Sequence, residues 1–383
     1  MAAELKKKKY RVLIVVRWPV GGIRTFIRYV YNKFDPSRYS ITVIAPDVPE
    51  LKVLKDDLKG LDVECVPFKD GISGPALMLL VLKTLAFGRF DLVHSNGFMA
   101  GASSALPALI TRTRHMMTSH DVFLSKQFRG AKGLLKKKSL SLILPMIDLI
   151  HSVSHDAEEN LVEFVPALGR RKGRLVVIPN GIDTERFSRP EKRDLRKELG
   201  LGPEVFLIGF LGRFMSQKGF VVLMDALERL KKRALPRRPV VVAFGFGGFI
   251  REDKEYLVKK GLGDSVFFLP FTPDVSATLK GLDVVAMPSL WEACPLLPME
   301  AMVAGVPLIG TDCIGLREVI NGTPCAKAAA GDSEGLARAI ENEMTNPSGK
   351  RTEDFREEAR RRFDVSRQAR ALEETVSRLI EGA

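Results

Sequence analysis

The chain has 383 residues, 45% of them hydrophobic and 27% charged, which excludes a disordered or fibrous protein and leaves room for two domains with sizeable cores. Its 59 Lys and Arg outnumber 46 Asp and Glu, a net charge of +13, so an anionic partner is expected: nucleic acid, a membrane surface or a phosphate-bearing ligand. Residues 1–184 hold 28 cations against 17 acids and residues 185–383 hold 31 against 29, which assigns the excess to the first half.

Lys6, Lys7, Lys8 and Lys9 open the chain. The apolar run behind them, 12–16, is too short for a signal peptide and reads as a first strand over 11–16. Gly21 and Gly22 follow it. A glycine pair lets backbone approach a ligand closely, but it also fits a plain tight turn, and it is not the G-x-G-x-x-G of a dinucleotide site. A helix over 23–33, a strand over 41–45, a helix over 51–59 and a strand over 92–94 come next. The segment 126–147 sets Lys126, Arg129, Lys132, Lys136, Lys137 and Lys138 beside SLSLILPMI. Cations beside leucines suit an interfacial helix on an anionic membrane, and equally a solvated helix packed on a core. Strands over 149–153 and 175–178 complete the first series.

Pro190 and a run of charges near 187–193 mark a boundary. A second series follows, with strands over 205–211, 240–244, 266–269, 284–287 and 307–310 and helices over 220–233 and 299–304. The segment 353–381 is helical and charged, with no strand after it, so it reads as a packing helix or helix pair. Alternating strands and helices mean parallel sheets covered on both faces. The expectation is two tandem doubly wound α/β domains, 1–187 and 188–364, with a helix over 365–383 packing back on the first.

Two loops of the second series carry chemistry. After the strand 205–211 comes GRFMSQKG, which places Arg213 and Lys218 between glycines. Two cations beside a helix N-terminus suit a diphosphate, or are ordinary surface cations. After the strand 284–287 comes PSLWEACPLLPMEAMVAGVPLIGTD. Glu292 lies in the loop and Glu300 in the first turn of the next helix. At the carboxyl edge of a parallel sheet two carboxylates can accept hydrogen bonds from sugar or ribose hydroxyls; the plainer account is that Glu300 complements the helix dipole and Glu292 is solvated. The FGFGG run at 244–248 is a weaker glycine signal. The four cysteines, Cys65, Cys294, Cys313 and Cys325, form no C-x-x-C pair, which sets aside zinc-ribbon and thioredoxin-type readings and fits a reducing compartment. No apolar run reaches the roughly 18 residues of a membrane span, and no zinc-finger or RNP-like motif supports nucleic acid.

The glutamates Glu292 and Glu300, separated by seven residues, make the segment resemble the C-terminal signature of glycosyltransferase family 4. Gly21-Gly22, DLVHSNG, TSHD, VSHDAEENL, IPNGIDTERF and GRFMSQKG match the same family in order, from residue 11 to about 320. The resemblance implies a GT-B fold, two Rossmann-like domains facing a central cleft, and a retaining transferase that takes sugar from a nucleotide sugar, with UDP or GDP as carrier, to a saccharide or lipid-linked acceptor. It implies that Arg213 and Lys218 hold the donor diphosphate, Glu300 the ribose and Glu292 the transferred sugar. Leu296 and Leu297 complete the donor set, Gly21 and Gly22 let the first loop approach the phosphates, and His120 lies near the sugar. Catalysis is then assigned to His120, Glu292, Arg213 and Lys218, with no metal and no cofactor. Two departures bear on the donor: E-G-F-G-L of the family is Glu292-Ala293-Cys294-Pro295-Leu296 here, and the 244–248 loop lacks the family's acidic residue. An epimerase or phosphorylase of the same fold, or a silent GT-B binding module, stays open at this stage. The expected setting is the cytoplasm, at the inner face of a membrane met by the basic half, with cell-surface polysaccharide or glycolipid as the product.

Overall fold

The computed structural model describes residues 9–170, 173–270, 272 and 274–382; Lys6, Lys7 and Lys8 of the basic N-terminal cluster lie outside them. The chain forms two compact units, Met1–Asn180 with Val365–Ala383, and Gly181–Asp364.

The first unit is a seven-stranded parallel sheet in the order β3-β2-β1-β4-β5-β6-β7. Its strands are β1 (Tyr10–Val16), β2 (Tyr39–Pro46), β3 (Asp62–Phe68), β4 (Leu92–Asn96), β5 (Arg114–Ser119), β6 (Leu149–Ser152) and β7 (Leu175–Val177). Between them run α1 (Gly21–Tyr31), α2 (Pro49–Asp57), α3 (Gly74–Gly88), α4 (Phe98–Thr111), α5 (Gly130–Ile143) and α6 (His155–Phe164). Val12 through Val16 are wholly buried, as a central parallel strand covered on both faces requires. Right-handed crossovers put α1 and α2 on one face and α3 to α6 on the other. Local chemistry sets the helix starts: Ser154 accepts from the Ala157 amide at 3.1 Å, with Asp156 and Glu158 in the first turn of α6 complementing its dipole.

The second unit is a six-stranded parallel sheet in the order β10-β9-β8-β11-β12-β13. It is built from β8 (Val205–Leu211), β9 (Arg238–Phe244), β10 (Val266–Leu269), β11 (Val284–Met287), β12 (Leu308–Thr311) and β13 (Ala326–Ala328). Its helices are α7 (Thr184–Ser188), α8 (Leu195–Leu199), α9 (Phe220–Lys231), α10 (Ile250–Lys259), α11 (Val275–Lys280), α12 (Leu297–Ala304), α13 (Leu316–Ile320), α14 (Ser333–Thr345) and α15 (Gly349–Phe363). The last helix, α16 (Val365–Glu381), returns to the first unit and packs on α1. In each sheet the strand order reverses once, between β1 and β4 and between β8 and β11. The loops at the carboxyl ends of those strands form the crevice where such sheets hold ligands.

The structure corrects several expectations. The division falls at Asn180–Gly181 rather than 187–188, because Ile182 forms a β-bridge with Asp364 and Phe187 is buried. The segment 353–381 is the helix pair allowed for above, broken at Asp364 with one helix in each unit. Helix α1 starts two residues earlier than expected, so Gly21 and Gly22 form its first turn. Three strands, β3, β5 and β13, are additions: β3 is a half-exposed edge strand carrying Pro67, β5 reads RHMMTS, and β13 has three residues. The basic segment 126–147 is a 3-10 turn, α5 and a second 3-10 turn.

Candidate functional site

In the second unit the loops after β8 and β11 lie against each other. Gly219, at φ +66°, would place a Cβ only 2.0 Å from the Pro288 carbonyl oxygen, so only glycine permits that approach. The Leu290 amide then donates to the Gln217 carbonyl at 2.8 Å, and Gln217 Nε2 to the Trp291 carbonyl at 2.9 Å. From the far side Gly315, at φ +76°, packs where a Cβ would meet the Glu292 carbonyl oxygen at 2.3 Å, and the Glu292 amide donates to the Ile314 carbonyl at 3.0 Å. The Glu292 loop is thus fixed along its backbone before its side chain makes any contact.

That side chain is 7% exposed. Its Oε1 accepts from Lys218 Nζ at 2.6 Å and from Ser289 Oγ at 2.7 Å. Ser289 is wholly buried, and its carbonyl accepts from Thr311 Oγ1 at 2.5 Å. A carboxylate this far from water needs a paired cation and charge-assisted donors, and both converge on one oxygen. Oε2 takes no partner among the described residues, which leaves its lone pairs open to a further donor. Arg213 is exposed, with no ion pair among the described residues. Leu296 caps α12, Leu297 is its first residue, and the Glu300 amide closes the first turn onto the Leu296 carbonyl at 3.0 Å. Burial pushes the neighbouring Cys313 thiol up to about 11, so it stays protonated. The 244–248 run is tied to the Arg213 loop, where the Phe214 amide donates to the Phe246 carbonyl at 2.9 Å.

In the first unit Gly21 and Gly22 are exposed, and no atom lies within 4 Å of a Cβ built on either. Val20 provides no side-chain cap and the first turn of α1 holds no acid, a helix start that suits an anion. His120 follows β5. Its Nε2 lies 3.0 Å from Asn96 Oδ1, and Asn96 Nδ2 donates to the His94 carbonyl at 3.4 Å. The amide is thereby oriented with its oxygen toward His120, which puts the proton on Nε2 and leaves the Nδ1 lone pair as acceptor. Phe26 of α1 meets the His120 ring edge to face at 4.7 Å. Burial, reinforced by His151, holds the imidazole down at about 3, so it is neutral.

Behind His120 runs a directed chain of buried hydrogen bonds. Ile178 offers a carbonyl, which can only accept, so His151 Nε2 donates to it at 2.8 Å. Thr118 Oγ1 donates to His151 Nδ1 at 3.1 Å and accepts from His94 Nε2 at 2.7 Å. Tyr31 Oη donates to His94 Nδ1 at 2.5 Å, and burial pushes that hydroxyl up so that it keeps its proton. Every tautomer in the chain follows from the carbonyl at its end.

The structure therefore brings Arg213, Lys218, Glu292, Leu296, Leu297 and Glu300 to adjoining loops of one unit, and Gly21, Gly22 and His120 to the carboxyl ends of strands in the other. Ser289, Thr311, Asn96 and Phe26 escaped the sequence reading. Ser289 and Asn96 had a usable signal: each is a polar residue at or just past a strand's carboxyl end, inside a motif already quoted. Among the described residues no group of three or more His, Cys, Asp or Glu is placed to hold a metal ion.

The model for Glycosyltransferase Family 4 matches residues 20–186 and that for Glycosyl transferases group 1 matches residues 191–362. The lipopolysaccharide core biosynthesis mannosyltransferase LpsB of Rhizobium meliloti is 36% identical over 154 residues, 38% of this chain and 43% of that protein. The D-inositol 3-phosphate glycosyltransferase of Nocardia farcinica is 28% identical over 288 residues, 72% of this chain and 63% of its own length. The chain thus spans under two thirds of the length of these two relatives. Among solved structures, Anabaena HepE in complex with UDP-glucose superposes with a TM-score of 0.80 at 21% identity, over 96% of this chain and 99% of that one.

Proposed function

Because the chain belongs to the family 4 and group 1 glycosyltransferases, with their two-domain GT-B fold, we propose that it moves a sugar, with retention, from a nucleotide sugar to a saccharide or lipid-linked acceptor at a membrane. The observation that carries this reading is the Lys218–Glu292–Ser289 cluster at the strand-order reversal of the second sheet, with the unpaired Arg213 in the adjoining loop. Lys218 and Arg213 supply the positive charge a diphosphate requires. The Leu296 and Leu297 amides at the start of α12 add donors, while Pro295 can give none. Glu292 Oε2 accepts from a hydroxyl of the transferred sugar and Glu300 from the ribose. The name LpsB supports a saccharide acceptor of lipopolysaccharide type, and the HepE complex supports a nucleotide sugar as donor.

The reaction asks little covalent work of the protein. As the bond from the anomeric carbon to the diphosphate oxygen breaks, charge grows on that diphosphate, where Arg213 and Lys218 stabilise it. The acceptor hydroxyl attacks from the same face and gives its proton to the leaving diphosphate oxygen. His120, neutral with a free Nδ1, accepts a hydrogen bond from a substrate hydroxyl and so orients it. The reading needs no metal and no cofactor.

Thermal shift against UDP-, GDP- and ADP-sugars, followed by NMR of the product anomer, tests the proposal. One nucleotide class should stabilise the protein, and the product should keep the donor's anomeric configuration. Glu292→Ala should cut turnover, and Arg213→Ala should cut turnover and raise donor KM. Wild-type kinetics in both variants, or inversion at the anomeric carbon, would overturn the assignment.

A further inference from the structure

The first unit carries an exposed surface that the sugar chemistry does not use. Of fifteen large apolar side chains exposed among the described residues, nine lie on α3, α4 and α5. Phe87 is 89% exposed, Leu142 74% and Leu135 67%. Solvated surfaces do show single apolar residues, but a gathering of this kind marks a contact. The three helices form one continuous layer on one face of the sheet. Leu77, Val81 and Leu85 of α3 share a buried cluster with Ala100 and Ala108 of α4, and Ala105 of α4 shares one with Leu140 of α5. The apolar residues therefore stand on the outer side of a single layer.

Cations are interleaved with them at helical spacing. Lys83 lies four residues from both Leu79 and Phe87, and Lys138 three from Leu135 and four from Leu142. Arg89 and Arg112 cap α3 and α4 in the left-handed conformation, at φ 49° and 55°, where glycine is the favoured residue. Residues 74–147 hold ten Lys and Arg against two acids, Asp91 and Asp121, so this one stretch carries +8 of the chain's +13. The next helix of the layer, α6, is acidic, which bounds the surface on that side.

We propose that the outer face of α3, α4 and α5 docks on an anionic lipid bilayer, with Phe87, Leu109, Ile110, Leu134, Leu135 and Leu142 entering the acyl boundary and the flanking lysines and arginines meeting phosphate headgroups. Charge complementarity selects this occupant: a protein groove would meet the apolar stripes but leave the interleaved cations without partners, whereas headgroups lie at the height to which lysine stems reach. Among the described residues no helix is long and apolar enough to cross a membrane, and this surface needs none. The inference deepens the reading that the acceptor is met at a membrane, and it stands on its own measurement.

The experiment is co-sedimentation of the full chain with vesicles of phosphatidylcholine alone or mixed with phosphatidylglycerol, read beside nucleotide-sugar binding by thermal shift. Binding should require phosphatidylglycerol and should weaken about ten-fold or more when salt rises from about 0.05 to 0.5 M. The Leu109→Glu, Leu135→Glu double variant changes two exposed positions, so it should fold and bind donor as the wild type does, while its lipid partitioning falls about ten-fold or more. Equal binding to both vesicle types, or unchanged binding by the variant, would overturn the proposal. So would a concentration-dependent dimer in light scattering that the same variant abolishes. A wild-type chain that binds donor but neither vesicle type would refute only this surface, and one that binds phosphatidylglycerol vesicles but no nucleotide sugar would refute only the sugar chemistry.

Discussion

Acid should loosen the first unit selectively, through its histidines. His94, His115 and His151 are 0%, 1% and 0% exposed. Burial holds His115 at about 3 and His151 at about 4, and His94 well below the usual range, with His151 the next contributor. Each is neutral in the fold but takes a proton near pH 6.5 once unfolded, so unfolding binds protons below that pH. The stability these groups contribute is complete above pH 6.5 and is lost as pH falls toward their folded values. At pH 5.5 the loss is about 1.4 kcal/mol per histidine, or about 4 kcal/mol for the three, against the roughly 5–15 kcal/mol that holds a domain. The second unit has the opposite sign at Asp253, which burial raises to about 6. That carboxyl contributes stability that is gained as pH falls through 6. Hydrogen exchange of the β4, β5 and β6 amides at pH 7.5 and 5.5 separates the units, and calorimetry in buffers of different ionisation enthalpy counts the protons. These three account for roughly 2.7 protons at pH 5.5; His120, also held at about 3, adds about one and Asp253 releases somewhat less than one, so net uptake should approach roughly 3. Uptake below about one proton, or exchange in the first unit that does not accelerate relative to the second, would refute the reasoning.

Ser289→Ala should lower kcat about ten-fold through the lost bond to a charged carboxylate, with donor KM nearly unmoved because Ser289 touches no diphosphate cation; a raised KM at constant kcat would contradict that. Lys218→Ala leaves Glu292 buried without its cation and should destabilise the second unit by about 3–5 kcal/mol, seen as a lower melting temperature besides any effect on donor KM. Gly219→Ala sets a Cβ against the Pro288 carbonyl at positive φ and should cost about 2 kcal/mol or more, and an unchanged melting temperature would mean the two loops separate freely. Asn96→Asp places a carboxylate on His120 Nε2 and should raise its titration by about one unit or more, observable by NMR of the imidazole. If that titration does not move, Asn96 does not hold the ring.

The alternation of buried β-branched runs with amphipathic stretches was enough to read both sheets, because a central parallel strand such as 205–211 is apolar on both faces. The strands it missed lack that property. β3 sits at an edge, so charges and Pro67 cost it little, and β5 is read through its polar ends and two methionines. The first-sheet histidines gave no periodic signal, since their burial depends on hydrogen bonds made across strands. The candidate cations and carboxylates stood out in the sequence because they fall where a strand meets a helix. The groups that orient them were not, since the pairing of Ser289 with Glu292 is a matter of loop conformation, which spacing does not encode. The boundary at 180 was hidden for a similar reason: Ile182 is apolar like its neighbours, and only its bridge to Asp364 assigns it to the second unit.

The chain enters the second unit at Gly181 and leaves it at Asp364, which makes that unit a guest inserted whole into the first. The host is cut open between Asn180 and Val365, yet Gln368 Nε2 donates to Asn180 Oδ1 at 3.1 Å, so the edges of the cut remain together. The guest's own ends are also paired, through Ile182 and Asp364. Each half therefore owns a closed boundary: the guest can be excised as one contiguous piece, and the host resealed with a short turn. A truncation that removes the C-terminal helix would injure the host while leaving the guest entire, although the guest comes later in the chain than nearly all of the host.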